Sequence, residues 1–360
     1  MKYFLILFFI ACSHLLHAQS ASEASLPHIR LTDSVQCTEV KDQSNSPTCW
    51  AFGTNSLFES DLIKQYNLRF NLSEMFIARH AYIDKAKQWL ATKGKTYYAG
   101  GGQFHDVIRV IKNHGMVPEE AYTGRANGEY LHDHADLDTA MKRLNASFLQ
   151  QGKATLSDSD LKQMNDTLDR YLGKLPETFW YDMIPYTPKT YAAKFLNAGD
   201  DYIELMSFSD LPFDKKCLLS DKFNWAGDSI YNITLDDMQM LVDTALANGW
   251  SVGWEGDVTN PGFNFLKGFA MLDDSLHSYA EERLLNYKTE KTERDHMLHL
   301  IATGRDENNK KWYYLKNSWG TWFSKFKGYL YMNETYFKMN TVILMVNKLA
   351  LPKKLKEKLN

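Results

Sequence analysis

Apolar residues return at helical spacing early in the chain: Trp50, Leu57, Phe58, Leu62 and Ile63 carry one face as far as about Tyr66. Ser46-Pro47 supplies the start, serine as N-cap and proline at the first helical position. Asn71-Leu72-Ser73-Glu74 resembles a second capped start, so another helix follows Ser73. Ala99-Gly100-Gly101-Gly102 forces a loop, and 104–114 reads as a helix closed by Gly115. Tyr122-Thr123-Gly124 ends this block, and residues 126–245 then read as mostly helical, with amphipathic runs at 137–151, 158–172 and 234–247. From Trp250 the period changes to that of strands: 251–255, 296–303, 311–317 and 328–332, with the polar cluster 306–310 as the turn between the second and third. The lysine-rich end, 351–360, reads as a charged, solvated tail. No internal repeat and no low-complexity tract breaks the pattern.

Composition narrows the class. At 360 residues, 44% hydrophobic and 14% aromatic, the chain has the material for a sizeable core in roughly two domains. A net charge of -3 argues against a nucleic-acid partner. Residues 1–18 combine one lysine, a short apolar run and a small residue at the end, Ala18, and read as a signal peptide cut there. The expected destination is periplasmic or extracellular. A second reading makes Cys12 a lipid anchor, although Phe9 fits poorly three residues before such a cysteine. The run is too short to span a bilayer, and no later stretch looks transmembrane. The mature chain keeps Cys37, Cys49 and Cys217, an odd count that implies a free thiol in an exported protein, while a bridge between Cys37 and Cys217 stays open. Asn71, Asn145, Asn165, Asn232 and Asn333 open Asn-x-Ser/Thr sites, which carry little information by themselves.

Chemistry concentrates in four places. Cys49 falls in the first turn of its helix, where the dipole favours a thiolate, and Gln43 stands six residues upstream. That glutamine can offer its amide to a developing oxyanion together with the backbone N–H of Cys49. His296 begins a strand, and a hairpin centred near Asn308 returns Asn317 opposite residues 298–300. Base and orienting amide therefore meet at the open end of one hairpin. His299 competes for the role of base, but it lies an odd number of residues from His296 and faces the other side of an extended strand. Trp319 can shield the histidine–asparagine bond from water. The glycines at 100–102 serve either as a plain turn or as open backbone for an extended peptide.

Gln43, Cys49-Trp50-Ala51-Phe52, Gly101-Gly102, His296 and Asn317-Ser318-Trp319-Gly320 resemble the papain-like cysteine peptidases. The 247 residues from Cys49 to His296 exceed the ~130–150 of papain. Segments such as Leu172 to Phe179, Tyr186-Thr187-Pro188 and Val252 to Val258 look like the bleomycin hydrolase and aminopeptidase C branch, which also lacks an inhibitory propeptide.

The resemblance implies an α+β, two-lobed fold: a helical lobe over 19–125 with the nucleophile, a mostly helical insertion over 126–245, and a strand-rich lobe over 246–350 with histidine and asparagine. It implies Cys49, His296, Asn317 and Gln43 as catalytic residues, Gly101 and Gly102 as the pair that holds substrate backbone, and no metal or organic cofactor. The expected partner is a peptide or protein substrate, with a homo-oligomer left open. Three departures stand out: Pro47 replaces a usual glycine, the chain carries an export signal, and it ends soon after Lys348, where the branch has a longer arm lying in the cleft. From the last, endopeptidase action is expected. An aminopeptidase of bleomycin hydrolase type and a non-catalytic peptide-binding protein are the alternatives.

Overall fold

The computed structural model describes residues 26–128, 130–273 and 278–359. The expected signal segment and Cys12 lie outside them. The helix Cys49–Tyr66 is buried continuously from Trp50 to Ile63, around its whole circumference. Several of its polar positions find partners, while the Asn55 carboxamide and the Ser60 hydroxyl are buried without one among the described residues. Glu59 accepts from Lys41 and the Leu72 N–H, Ser56 meets His299, and Asp61 takes the Tyr202 hydroxyl. It begins two residues later than Ser46-Pro47 suggests, with Thr48 as N-cap; the Ser46 hydroxyl instead binds the Gln43 carbonyl and the Thr48 hydroxyl, so Cys49 is the first helical residue.

Two helices, Glu74–Ala91 and Phe104–His114, pack beside it. The first is capped by Ser73 through the Phe76 N–H, and the second is closed by Gly115 at φ +91°. Ala135–Gln150 and Asp158–Leu172 add Leu137, Met141, Phe148, Met164, Leu168 and Leu172 to the same core.

A mixed sheet forms the other side. Its strands run in the spatial order Lys215–Leu218, Ser229–Asn232, Tyr202–Met206, Thr341–Asn347, Val252–Gly256, His296–Arg305, Lys311–Lys316, Tyr329–Asn333, Phe269–Ala270, Phe263–Asn264, and Arg30–Ser34 also pairs with His296–Arg305. A second core of Leu241, Val252, Trp254, Leu298, Leu315, Phe337 and Leu344 lies under it. The hairpin expected at 296–317 is present: His299 pairs with Lys316 and Leu300 with Leu315. Asp306 closes its turn by accepting from the Asn308 and Lys310 N–H groups.

Helix and sheet meet at Gly53, one turn after Cys49. A Cβ there would stand 3.1 Å from the Met297 Cβ, so the glycine is what lets the Cys49 helix approach the His296 strand.

Three features differ from the sequence expectation. The segment 126–245 contributes three strands to the main sheet besides its helices. The charged end is not loose: Lys353–Leu359 is a helix with Leu355 and Leu359 buried, fastened by Lys354 and Lys358 to Asp237. Cys37 and Cys217 form no bridge; the Cys37 thiol faces the Tyr329 hydroxyl and the Cys217 thiol faces the Pro212 carbonyl.

Candidate active site

Cys49 opens its helix at the positive end of the dipole, and the Trp50 and Met297 N–H groups hydrogen-bond its thiol. Met297 follows His296 on the strand, so that contact sets the cysteine beside the histidine's position. The His296 Nε2 lies 2.8 Å from Asn317 Oδ1, which leaves Nδ1 as the ring's other nitrogen. Asn317 is held in turn by the Ser318 N–H on the same Oδ1 at 2.7 Å. Trp319 covers the pair, its ring centroid 4.5 Å from that of His296 and braced edge-on by Phe265 at 5.0 Å.

Gln43 is joined to this group by long-range bonds. Its backbone N–H donates to the Ser318 carbonyl at 2.8 Å, and its Oε1 accepts from the Ser318 hydroxyl at 2.7 Å. Its Nε2 donates to the Ser46 carbonyl at 2.9 Å. One hydrogen is spent on that carbonyl and the second remains for an oxyanion. Asp42 bridges Trp319, and the Gly320 N–H reaches the Lys41 carbonyl. The glutamine loop and the asparagine loop are thus zipped together, and Ser318 is the tooth that sequence reading passed over.

His299 goes the other way, as strand parity requires. Its Nδ1 meets the Ser56 hydroxyl at 2.7 Å deep behind the site. Gly101 and Gly102 border the Cys49 helix. The Trp50 indole donates to the Gly100 carbonyl at 2.9 Å, and a Cβ on Gly102 would stand 2.7 Å from the Trp50 ring. Lys85, unnoticed in the sequence, fixes the loop by donating to the Ala99 and Gly101 carbonyls.

Burial governs the charges. It pushes the Cys49 thiol up to about 12, helped by the nearby Glu255 and Asp295 carboxylates and opposed by the Met297 and Trp50 N–H bonds. It lowers His296 to about 4, against the bond from Asn317. Either charge alone is therefore opposed. A proton passed from the thiol to an imidazole beside it would create both charges at once, and their attraction would offset part of the burial cost.

Comparison with known proteins gives a consistent picture. The model of the Peptidase C1-like family matches residues 10–360. An aminopeptidase G of Lactobacillus delbrueckii subsp. lactis is 23% identical over 89% of this chain and 83% of its own length. An aminopeptidase E of Lactobacillus helveticus is 23% identical over 88% and 83%. Among solved structures, PepW of Lactobacillus rhamnosis superposes with a TM-score of 0.69 at 18% identity, covering 91% of this chain and 84% of that one; this likeness speaks to the papain-like α+β fold.

Proposed function

The chain belongs to the Peptidase C1-like family and is a cysteine-type peptidase; on that premise we propose that it works through Cys49, His296, Asn317 and Gln43, and that it trims peptides from their N-termini. The observation that supports this set is a chain of hydrogen bonds linking three of them: His296 to Asn317, Asn317 to the Ser318 N–H, and Ser318 to Gln43 by backbone and side chain. In the proposed cycle the Cys49 sulfur bonds to the peptide carbonyl carbon while its proton passes to His296. The oxyanion lies between the second Nε2 hydrogen of Gln43 and the Cys49 backbone N–H. His296 then protonates the departing amine as the C–N bond breaks, leaving a thioester. Water, giving its proton to His296, hydrolyses the thioester and frees the thiol.

N-terminal trimming rests on the relatives, which are named aminopeptidases G, E and C. It replaces endopeptidase action as the preferred reading. Export stays part of the proposal, with residues 1–18 as its signal. Two measurements test the whole. A thiol-directed epoxide is expected to label Cys49 and stop turnover; full turnover by Cys49→Ala would contradict the assignment. Mass-spectrometric reading of the mature N-terminus is expected to begin near Gln19, and an intact Met1 would rule out the signal.

A further inference from the structure

The segment 219–228 contacts both the helical side, at residues 97–109, and the residues just before the His296 strand. On the helical wall, the Phe223 ring lies against Gly101, where a Cβ would stand 3.3 Å from it, and packs edge-on to Tyr97 with centroids 4.9 Å apart. Gln103, the residue after the glycine pair, meets the Asn224 N–H with its carboxamide. Trp225 donates from its indole to Asp106 at 3.0 Å and lies under the Arg109 guanidinium at 4.8 Å. On the sheet wall, Asp221 pairs with Arg294 at 2.7 Å, and that guanidinium faces Phe223 at 5.8 Å. Arg294 stands two residues before His296, and its side chain is 0% exposed.

The segment is stiff in itself. Asn224 knits it, donating from Nδ2 to the Leu219 and Asp228 carbonyls and accepting from the Asp228 N–H. A loop so bonded, and tied to both sides, costs little further ordering when substrate arrives.

Direction follows from the chemistry proposed above, on which this inference rests. His296 protonates the leaving amine, so residues after the scissile bond run past His296 and Trp319. Residues before it run the other way, along Gly101-Gly102. Phe223 stands on that path. A cavity of about 640 Å³, lined by Phe208, Leu219, Phe223, Tyr287, Arg294 and Asp295, borders the ring.

We propose that residues 219–228 are a fixed strap that ends the acyl side of the cleft at Phe223, so that this chain accepts peptides with very few residues before the scissile bond. The stop comes from the insertion, while the helix Lys353–Leu359 is committed to Asp237.

The test uses peptides that share one scissile bond and differ by successive residues added at the N-terminal side. The reading is the ratio of kcat/KM between long and short members, from which any general loss of activity cancels. Wild type is expected to fall on the order of tenfold or more at the length that reaches Phe223. Phe223→Ala, and separately Asp221→Ala, which removes the strap's bond to Arg294, are expected to raise that ratio. A flat length dependence in wild type, or an unchanged ratio in Phe223→Ala, would overturn the strap and leave the peptidase intact. Absence of any peptide turnover would bring down the proposed function and the strap with it.

Discussion

At the glycine end of the cleft, rings and ions interlock. Phe223 sits on Gly101, Trp225 on Asp106, and Arg294 is closed in by Asp221 and by Glu255 at 3.0 Å. At the Trp319 end the chain does the opposite. Trp322 is 87% and Phe323 75% exposed, three and four residues after the tryptophan that covers His296. Leu266, reached by the Lys325 N–H, adds a further bare apolar surface. One side is built to be a wall and the other to be a ledge. A hydrolase that recognises chain ends needs this asymmetry, because a stop works only if it resists displacement, while the departing part of a substrate has no fixed length.

The largest way to break the comparison is to remove the chemistry between the two ends. His296→Ala is expected to lower kcat on the order of 10³-fold or more, since it removes the proposed base and the proposed partner of the thiolate together. His299→Ala is expected to act on stability, because His299 serves Ser56 behind the site. The reverse pattern in kinetics and melting would exchange the two histidines.

At the wall, Asp221→Ala leaves the Arg294 guanidinium with Glu255 as its one paired carboxylate, beside the Gln103 carboxamide. A loss of about 2 kcal/mol in denaturant unfolding is expected, less than a fully broken buried pair because one carboxylate remains. No loss would mean that the strap is an ornament on the sheet.

A smaller effect distinguishes the interior from the cleft. Burial and the neighbouring Lys316 ammonium hold His299 well below its ordinary value, so the folded chain keeps it neutral. Between about pH 6.5 and the lowered value the unfolded chain binds a proton that the folded one refuses, so this residue's contribution is present above pH 6.5 and is lost as pH falls. His299→Gln removes that dependence. The stability difference between wild type and variant is therefore expected to shift against wild type by about 1.4 kcal/mol per pH unit below pH 6.5, read from urea midpoints. Parallel pH curves would show that His299 carries a proton in the fold.

On the ledge, Trp322→Ala is expected to change stability by less than about 0.5 kcal/mol, because the ring gives up little buried surface. A larger loss would mean that Trp322 is packed in solution.

How far the sequence reveals these regions depends on whether a residue's partner is near it or far. The helices at Phe104–His114 and Asp158–Leu172 are legible because period and stop signals, Gly115 and Gly173, lie within a few residues. The His296–Asn317 meeting is legible because one short turn fixes the register. The strands Tyr202–Met206 and Ser229–Asn232 are not: they take their place only by lying next to Thr341–Asn347 and one another, and nothing local announces that pairing. The same holds for Ser318, whose hydroxyl finds Gln43 across 275 residues, and for Phe223 and Asp221, whose partners Gly101 and Arg294 are distant in the chain. The lysines of 353–359 read as solvated because the pattern shows their charge, while Leu355 and Leu359, which anchor the helix, are too few to set a period.

The one-ended cleft is tested most directly by following the products of a single free-N-terminus peptide over time by mass spectrometry. Short N-terminal pieces are expected to leave in order, the remaining peptide shortening from that end alone. Internal fragments appearing first, with the N-terminal sequence still attached to a long piece, would contradict the account.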